Sequence, residues 1–209
     1  MVLKSRILGL AVVAGLLSAC GAVNPGAAAV VNGERISMQT ADDAARTFCQ
    51  VNMVGQPEGS ATDNSQMRLQ ALASLIISEV ADQVAKEEGI KVNVDDELPA
   101  EFVAFRDSLN ASDRAAFDSI YKANIRMGAI ATELGRAAAP DEKNPDALAQ
   151  IGMQVLQKSL AEQDIEIDPR FGLSPELTQI SDSGSLSVAT VNFEAPAPDE
   201  RSLALQCRS

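Results

Sequence analysis

The spacing of apolar residues between positions 69 and 84 constrains the fold of this chain more than any other feature. Apolar side chains recur there at intervals of three and four, and Gly89 follows as a stop signal. The apolar positions are Leu69, Leu72, Leu75, Ile76, Val80 and Val84. This period matches one face of an α-helix and excludes a strand, in which side chains alternate every two residues. The sequence therefore predicts a long amphipathic helix with one buried face.

Further helices are predicted on either side of this one. Ser37 can N-cap the first of them, and Ser112 can start a long one. Asn144 and Pro145 combine an N-cap residue with a proline at the first helical position. The expected ranges are 37–52, 102–109, 112–134 and 145–160. Helices thus dominate the predicted elements, and the expected fold class is mostly α.

A small β-hairpin is predicted near the start of the folded part. Asn32 and Gly33 separate the apolar run 28–31 from residues 34–36, and Asn-Gly is a favoured pair for a type I′ turn because both residues tolerate positive φ. Residues 165–167, Ile-Glu-Ile, alternate as a half-buried strand does. We therefore expect a hairpin at one end of the helical region and a strand at the other.

The predicted elements divide the chain into a folded part and a tail. Residues 28–172 contain all of these elements and are numerous enough to bury one core. Residues 173–209 are rich in Ser and Pro and lack a clear period, although residues 185–193 could form one strand. We expect one helical domain followed by an irregular tail that returns to it.

The first 19 residues have the layout of an export signal. Lys4 and Arg6 give a positive start, residues 7–17 are almost wholly apolar, and two small residues follow. The apolar run is shorter than the roughly 20 residues that a transmembrane helix needs. Residues 1–19 are therefore predicted to be a signal peptide that is removed on export.

A cysteine stands directly after this segment. Leu17, Ser18, Ala19 and Cys20 resemble the lipobox of bacterial lipoproteins, in which the cysteine is diacylated and becomes the first residue. Two acyl chains suffice for stable membrane retention, whereas one chain is marginal. Residues 20–27 would then be a lipidated tether on the extracytoplasmic side of the cell membrane. The alternative is a soluble secreted protein in which Cys20 has no such role.

Cys49 and Cys207 are the two cysteines that remain. Thiols outside the cytoplasm are readily oxidised, so an even remainder favours one disulfide, which would tie the first helix to the C-terminal end. Two unpaired thiols are the alternative, because sequence alone does not give the distance between the Cα atoms. With no histidine and so few cysteines, the chain lacks the ligands of a structural zinc site, and no metal or other cofactor is expected.

The charge of the chain excludes one class of partner. The net charge is −12, and removal of Lys4 and Arg6 with the signal peptide makes it more negative. One tyrosine and no tryptophan leave few platforms on which bases could stack. Such a chain repels phosphate backbones, so we expect no nucleic-acid partner. The negative charge also does not favour attraction to anionic lipids, so membrane attachment would depend on the acyl chains of Cys20.

Two short motifs carry a resemblance to a known family. Residues 29–37 read Ala-Val-Val-Asn-Gly-Glu-Arg-Ile-Ser, and residues 165–172 read Ile-Glu-Ile-Asp-Pro-Arg-Phe-Gly. With the order of the helices between them, these motifs resemble the chaperone module of SurA-type and PrsA-type foldases over residues 28–172. The resemblance implies a SurA N-terminal-like helical domain, in which the hairpin and first helix pack against the last helix and strand.

The chain departs from these foldases at one place. They usually insert a parvulin prolyl-isomerase domain before the returning helix, commonly with active-site histidines, whereas here only residues 135–145 separate the two helices and no histidine exists. The resemblance then implies a holdase-type chaperone that binds unfolded exported polypeptides without isomerase activity. The alternative is a lipoprotein adaptor that holds one specific partner in the cell envelope. Nothing in the sequence specifies an oligomeric state.

No catalytic or client-binding residue can be named from the sequence. A Ser/His or Cys/His nucleophile is impossible without histidine, and no phosphate-loop, HExxH or GxSxG motif occurs. The carboxylates of Asp42 and Asp43 are expected to stabilise a helix start rather than to cleave a sugar. The apolar stripes are more simply core than client surface. We therefore expect no enzyme activity.

Overall fold

The computed structural model describes residues 24–94, 97–179 and 206–208, and within them the protein is mostly helical. Five helices and five short strands occur there, with a 3₁₀ turn at Pro169–Phe171. In chain order the elements are β1 Ala27–Val31, β2 Glu34–Ser37, α1 Met38–Met53, β3 Ala61–Asp63, α2 Asn64–Glu87, α3 Ala100–Ser108, α4 Ala111–Ala138, α5 Pro145–Leu160, β4 Ile165–Ile167 and β5 Gln206–Arg208. The predicted mostly α fold class, with its hairpin and later strand, is confirmed.

The two ends of the helical region meet in a three-stranded antiparallel sheet of order β2-β1-β4. In the turn between β1 and β2, Asn32 has φ 49° and Gly33 has φ 86°, as the Asn-Gly pair predicts. The Asn32 side chain accepts a hydrogen bond of 2.9 Å from the backbone N–H of Asp164 and donates one of 2.6 Å to Gln83. The hairpin turn is therefore fastened to both α2 and the segment that enters β4. The family resemblance implies the contact with the last strand but says nothing of α2.

The core lies between this sheet and helices α2, α4 and α5. Its fully buried side chains come from every one of these elements, and the predicted stripe of α2 supplies the largest share. Burying one such side chain contributes about 1.5–3 kcal/mol relative to leaving it in water. The largest are Val31, Leu72, Ile76, Val80, Ile130 and Leu156. The core is thus concentrated at the closed end of the molecule, where the sheet covers the helices.

Helices α4 and α5 approach each other closely at two glycines. A Cβ atom on Gly152 would overlap the carbonyl oxygen of Ala131, and one on Gly135 would overlap the carbonyl oxygen of Leu148. Close packing of this kind excludes any side chain at the two crossing points. Residues 139–144 alone connect the two helices, and Asn144 caps α5 as predicted, accepting a hydrogen bond from the Asp146 N–H at 2.9 Å.

Several boundaries differ from those predicted. Helix α4 begins at Ala111 rather than at Ser112, because the Asn110 side chain accepts the N–H groups of Ser112 and Asp113 and so is the N-cap. Helix α2 begins at Asn64, before its apolar stripe, with Asp63 as its cap. The segment between the first two predicted helices carries no predicted element, yet it contains β3 at Ala61–Asp63. A polar N-cap residue therefore predicts where a helix begins more closely than the spacing of its apolar residues does.

The folded part is slightly longer than predicted at both ends. Ala27 is buried in β1 rather than belonging to the tether, and Leu173 packs into the core rather than belonging to the tail. Residues 1–23, with the signal peptide and Cys20, lie outside the described residues, and so does the possible strand 185–193. Of the helices that the structure describes, none is both long and apolar enough to cross a membrane.

Candidate functional site

An open apolar groove of about 270 Å³ lies between α1 and α4, beside α3. Side chains three or four residues apart share one face of a helix, so single faces of α1 and α4 form its two walls. Thr47, Asn52 and Asn124 add polar groups to the lining. The apolar side chains are Phe48 and Val51 of α1, Phe102 of α3, and Phe117, Ile120 and Tyr121 of α4. The groove therefore offers a carbon-rich surface bordered by three polar side chains.

Aromatic rings from α3 and α4 form a cluster at one end of this groove. The ring centroids of Phe105 and Phe117 are 5.5 Å apart at 73°, and those of Phe117 and Tyr121 are 5.9 Å apart at 17°. Phe102 lies 6.3 Å from Phe117. These separations are in the range in which aromatic pairs attract each other. Only Phe117 is buried, and the other rings remain partly exposed to solvent.

Thr47 and Asn124, two of the three polar side chains that border the groove, have hydrogen-bond partners within the protein, and so does the Tyr121 hydroxyl. The Asn124 side-chain oxygen accepts a hydrogen bond of 3.0 Å from Ser74, and the Thr47 hydroxyl donates one of 3.1 Å to the Asp43 carbonyl. The Tyr121 hydroxyl donates to the Glu97 carbonyl at 3.4 Å. Because these groups are already engaged, contact between their carbon atoms and an apolar ligand costs little desolvation.

A bidentate ion pair joins α3 to α4 next to the aromatic cluster. Arg106 donates from Nε and Nη2 to the two carboxylate oxygens of Asp118, at 2.6 and 2.7 Å. These hydrogen bonds lower the pKa of Asp118 below its ordinary value and raise the pKa of Arg106. Both groups are therefore charged at neutral pH. The pair is half-exposed, so its contribution to stability is modest.

A disulfide between Cys49 and Cys207 supports the opposite side of α1. The two Cα atoms are 5.3 Å apart, and Cys207 is buried against Met53 and Met67. Strand β5, which contains Cys207, pairs with β3 in a separate two-stranded antiparallel sheet. Phe48 packs against this cluster as well as lining the groove. The C-terminal end thus returns to the domain behind the wall formed by α1.

The carboxylates that were considered for catalysis do not converge on one site. Asp43 pairs with Arg46, whereas Asp42 pairs with Arg68 at 3.0 Å. Both aspartates follow the first turn of α1, so the expectation that they stabilise the helix start is wrong. In the ranges that the structure describes, no group of three or more Cys, Asp or Glu side chains could hold a metal ion.

The groove was not predicted from the sequence. The chain has six Phe and one Tyr, and five of these seven residues lie in or beside the groove. They are Phe48, Phe102, Phe105, Phe117 and Tyr121. Their concentration on three helices, α1, α3 and α4, is the available signal, but apolar stripes on helices predict a core first. The partial exposure of four of the five shows that a core function accounts for them only in part.

The protein is a helical domain that a small sheet closes at one end, and it has an open apolar groove on one side. This is the architecture of a binding module. Residues 2–128 match the family model of the SurA-like N-terminal domain. The chain belongs to this family, which is of chaperone type and binds polypeptide substrates in general. Every residue of the groove lies within the matched segment. No curated protein and no solved structure matches the chain.

Proposed function

We propose that this protein is a membrane-anchored, extracytoplasmic chaperone of holdase type, which binds unfolded exported polypeptides in the groove between α1 and α4. The observation that carries the proposal is the partial exposure of Val51, Phe102, Ile120 and Tyr121 along one continuous surface. Unfolded chains expose apolar side chains, and a groove of this kind can cover them. The chain's membership of a chaperone-type family supports the same conclusion.

The acidic character of the chain suits a holdase. A net charge of −12 keeps copies of the protein apart despite the exposed aromatic rings, because like charges repel each other. The charged side chains lie mainly outside the groove, whose apolar walls come from α1 and α4. The protein can therefore present an apolar surface to a client while repelling its own copies.

We propose further that the protein binds clients without catalysing their isomerisation. The absence of histidine and the short connection at residues 139–144 support this, since SurA-type foldases usually carry their parvulin domain before the returning helix. A prolyl-isomerase assay on a proline-containing peptide tests the proposal. We expect the rate to equal that of the uncatalysed reaction, and an acceleration that scales with protein concentration would contradict it.

The anchor in this proposal is a diacyl group on Cys20. It rests on the position of Cys20 directly behind an export-type signal. Metabolic labelling with a fatty acid tests it in cells that express the original chain or Cys20→Ser. We expect label only in the original chain, and equal labelling of the two would refute lipidation at this residue.

Suppression of client aggregation tests the groove directly. We would measure light scattering by a denatured model protein in the presence of the full chain, of Val51→Asp and of Val54→Asp. Val51 lines the groove, whereas Val54 lies outside it and is 44% exposed. Both substitutions place the same charge near the C-terminal end of α1, so they alter the helix dipole similarly. We expect Val51→Asp to lose most of the suppression and Val54→Asp to keep it.

Two results would overturn the holdase assignment. If the original chain suppresses the aggregation of no unrelated client, the protein is not a general chaperone. If a pull-down then yields one stoichiometric partner, the protein is an adaptor for that partner. Retained suppression by Val51→Asp would show that clients bind elsewhere on the molecule.

A further inference from the structure

Helix α3 is the shortest of the five helices that the structure describes, and Arg114 of α4 donates hydrogen bonds to carbonyl groups at its C-terminal end. It spans nine residues, and its N-cap, Pro99, makes no side-chain hydrogen bond. None of the α3 side chains that the structure describes is buried, and Val103 is 42% exposed. Helices shorter than about 12–15 residues are marginal in isolation. The helical state of α3 therefore depends on its contacts with α4.

Helix α3 contacts α4 in the way that a short helical peptide contacts the groove of another protein. Phe102 and Phe105 lie one helical turn apart and place their rings against Phe117, and Phe102 also contacts Tyr121 at 6.4 Å between ring centroids. Arg106, the next residue, binds the carboxylate of Asp118. Amphipathic helices that dock into grooves of other proteins use anchors at the same spacing. Helix α3 thus occupies α4 as a bound segment would.

The surface under α3 is continuous with the open groove. Phe117 and Tyr121 contact α3, and both also line the groove, together with Phe102 itself. The apolar face of α4 therefore has one part that α3 covers and one part that remains open. The side chains of α3 that bind the covered part therefore indicate which kind of ligand fits the whole apolar face.

We propose that α3 is an internal ligand of the groove, so that preferred clients carry two aromatic side chains one helical turn apart followed by a basic residue. This inference rests on the proposed holdase function and names its client class. On binding, the client's aromatic rings pack on Phe117 and Tyr121 and its basic side chain pairs with Asp118. Helix α3 is displaced from α4 by the same event.

The charge of the protein favours such clients. The chain carries 29 acidic and 17 basic residues, so a basic segment is attracted to it at a distance. Asp118 is half-exposed and its pKa is lowered, so it stays ionised and accessible to an incoming cation. The pair with Arg106 is exchanged for a similar pair with the client, and Arg106 is released into solvent beside Asp107, so no charge is left both buried and unpaired.

If α3 and a peptide compete for α4, Arg106→Gln should change the affinity for the peptide. This substitution weakens the hold of α3 but leaves Asp118 free for the client. Its control is Arg126→Gln, which removes a comparable half-exposed ion pair, to Asp82, elsewhere on α4. Fluorescence anisotropy of the full chain in detergent would measure affinity for a labelled peptide with the pattern Phe-x-x-Phe-Arg. We expect Arg106→Gln to bind about two- to fivefold more tightly, the scale set by loss of an exposed ion pair, and Arg126→Gln to match the original chain.

Two further peptides separate the aromatic and basic contributions. One replaces both Phe residues by Ala, and the other replaces Arg by Glu. We expect the first to lose binding, and the second to bind more weakly than Phe-x-x-Phe-Arg to both chains, because its Glu side chain cannot pair with Asp118. Circular dichroism and the thermal midpoint establish that each variant is folded.

Distinct results contradict the inference and the proposed function. Equal affinity of Arg106→Gln and the original chain for the Phe-x-x-Phe-Arg peptide shows that α3 does not compete. Equal affinity for all three peptides refutes the client class even if aggregation is suppressed. Failure of the original chain to suppress aggregation of any client refutes the holdase function itself.

Discussion

The closed end of the molecule and the groove differ in how completely they bury their apolar side chains. At the closed end, the three-stranded sheet covers α2, α4 and α5, and residues such as Val31, Leu72 and Leu156 are almost wholly inaccessible to water. Along the groove, Ile120 and Tyr121 remain partly exposed, and α3 covers only part of the surface. The first region is built for stability, and the second retains apolar surface that a partner can use.

Helix α4 belongs to both regions, which shows how the difference is maintained. Its C-terminal half carries Ile130 and Leu134 in the core and packs against α5 through Gly135. Its N-terminal half carries Phe117, Ile120 and Tyr121, which line the groove. Regions of low local burial open more readily than the core does. One rigid helix can thus be anchored at one end and present a binding face at the other.

The largest effect is expected from a cavity at the closed end. Leu72→Ala removes a fully buried side chain from α2 and should lower the free energy of unfolding by about 2–5 kcal/mol, because the lost contacts cannot be replaced. Ile120→Ala, in the groove, should cost less than half as much and should weaken client binding instead. Urea unfolding followed by circular dichroism measures both. Equal losses of stability would remove the distinction between the two regions.

A smaller effect is expected from the disulfide behind α1. Reduction, or the double substitution Cys49→Ser with Cys207→Ser, should lower the free energy of unfolding by about 2–4 kcal/mol, since the unfolded chain regains the freedom of a long loop. Denaturant midpoints with and without dithiothreitol measure this loss. The double variant should no longer respond to the reductant.

Hydrogen exchange locates the effect of reduction. Strand β5 pairs with β3 beside the disulfide, whereas β1 pairs with β2 and β4 at the closed end. We expect amide protection to fall first in β3 and at the C-terminal end of α1 and to persist in β1. A uniform fall across both sheets would show that the two regions open as one unit.

The closed end could largely be predicted because its signals are local. Asn32 and Gly33 specify their turn through backbone preferences, and Asn144 with Pro145 specifies the start of α5. The stripe of α2 needs only one helical period. Each of these features acts within a few residues, so the sequence shows them without knowledge of the tertiary fold.

The groove could not be predicted in the same way because three helices build it. Phe117 is buried, whereas Ile120 and Tyr121, on the same stripe of α4, are partly exposed. A hydrophobic period gives the face of a helix but not the length over which another element covers it. Strand β3 is three residues long, too short for a period, and its partner β5 lies far away in the chain. Both features depend on tertiary contacts.

The smallest of the three effects is expected at the crossing of α4 and α5. Gly152→Ala places a Cβ atom against the Ala131 carbonyl and should force the helices apart, at a cost of about 1–3 kcal/mol. Gly128→Ala is the matched control, because a Cβ there meets nothing within 4 Å and alanine favours a helix by about 0.5–1 kcal/mol. Gly152→Ala should therefore lower the thermal midpoint, and Gly128→Ala should raise it. Because the crossing lies at the closed end, Gly152→Ala should leave client affinity unchanged while the protein is folded. A loss of affinity at temperatures well below the midpoint would show that the groove depends on the geometry of this crossing.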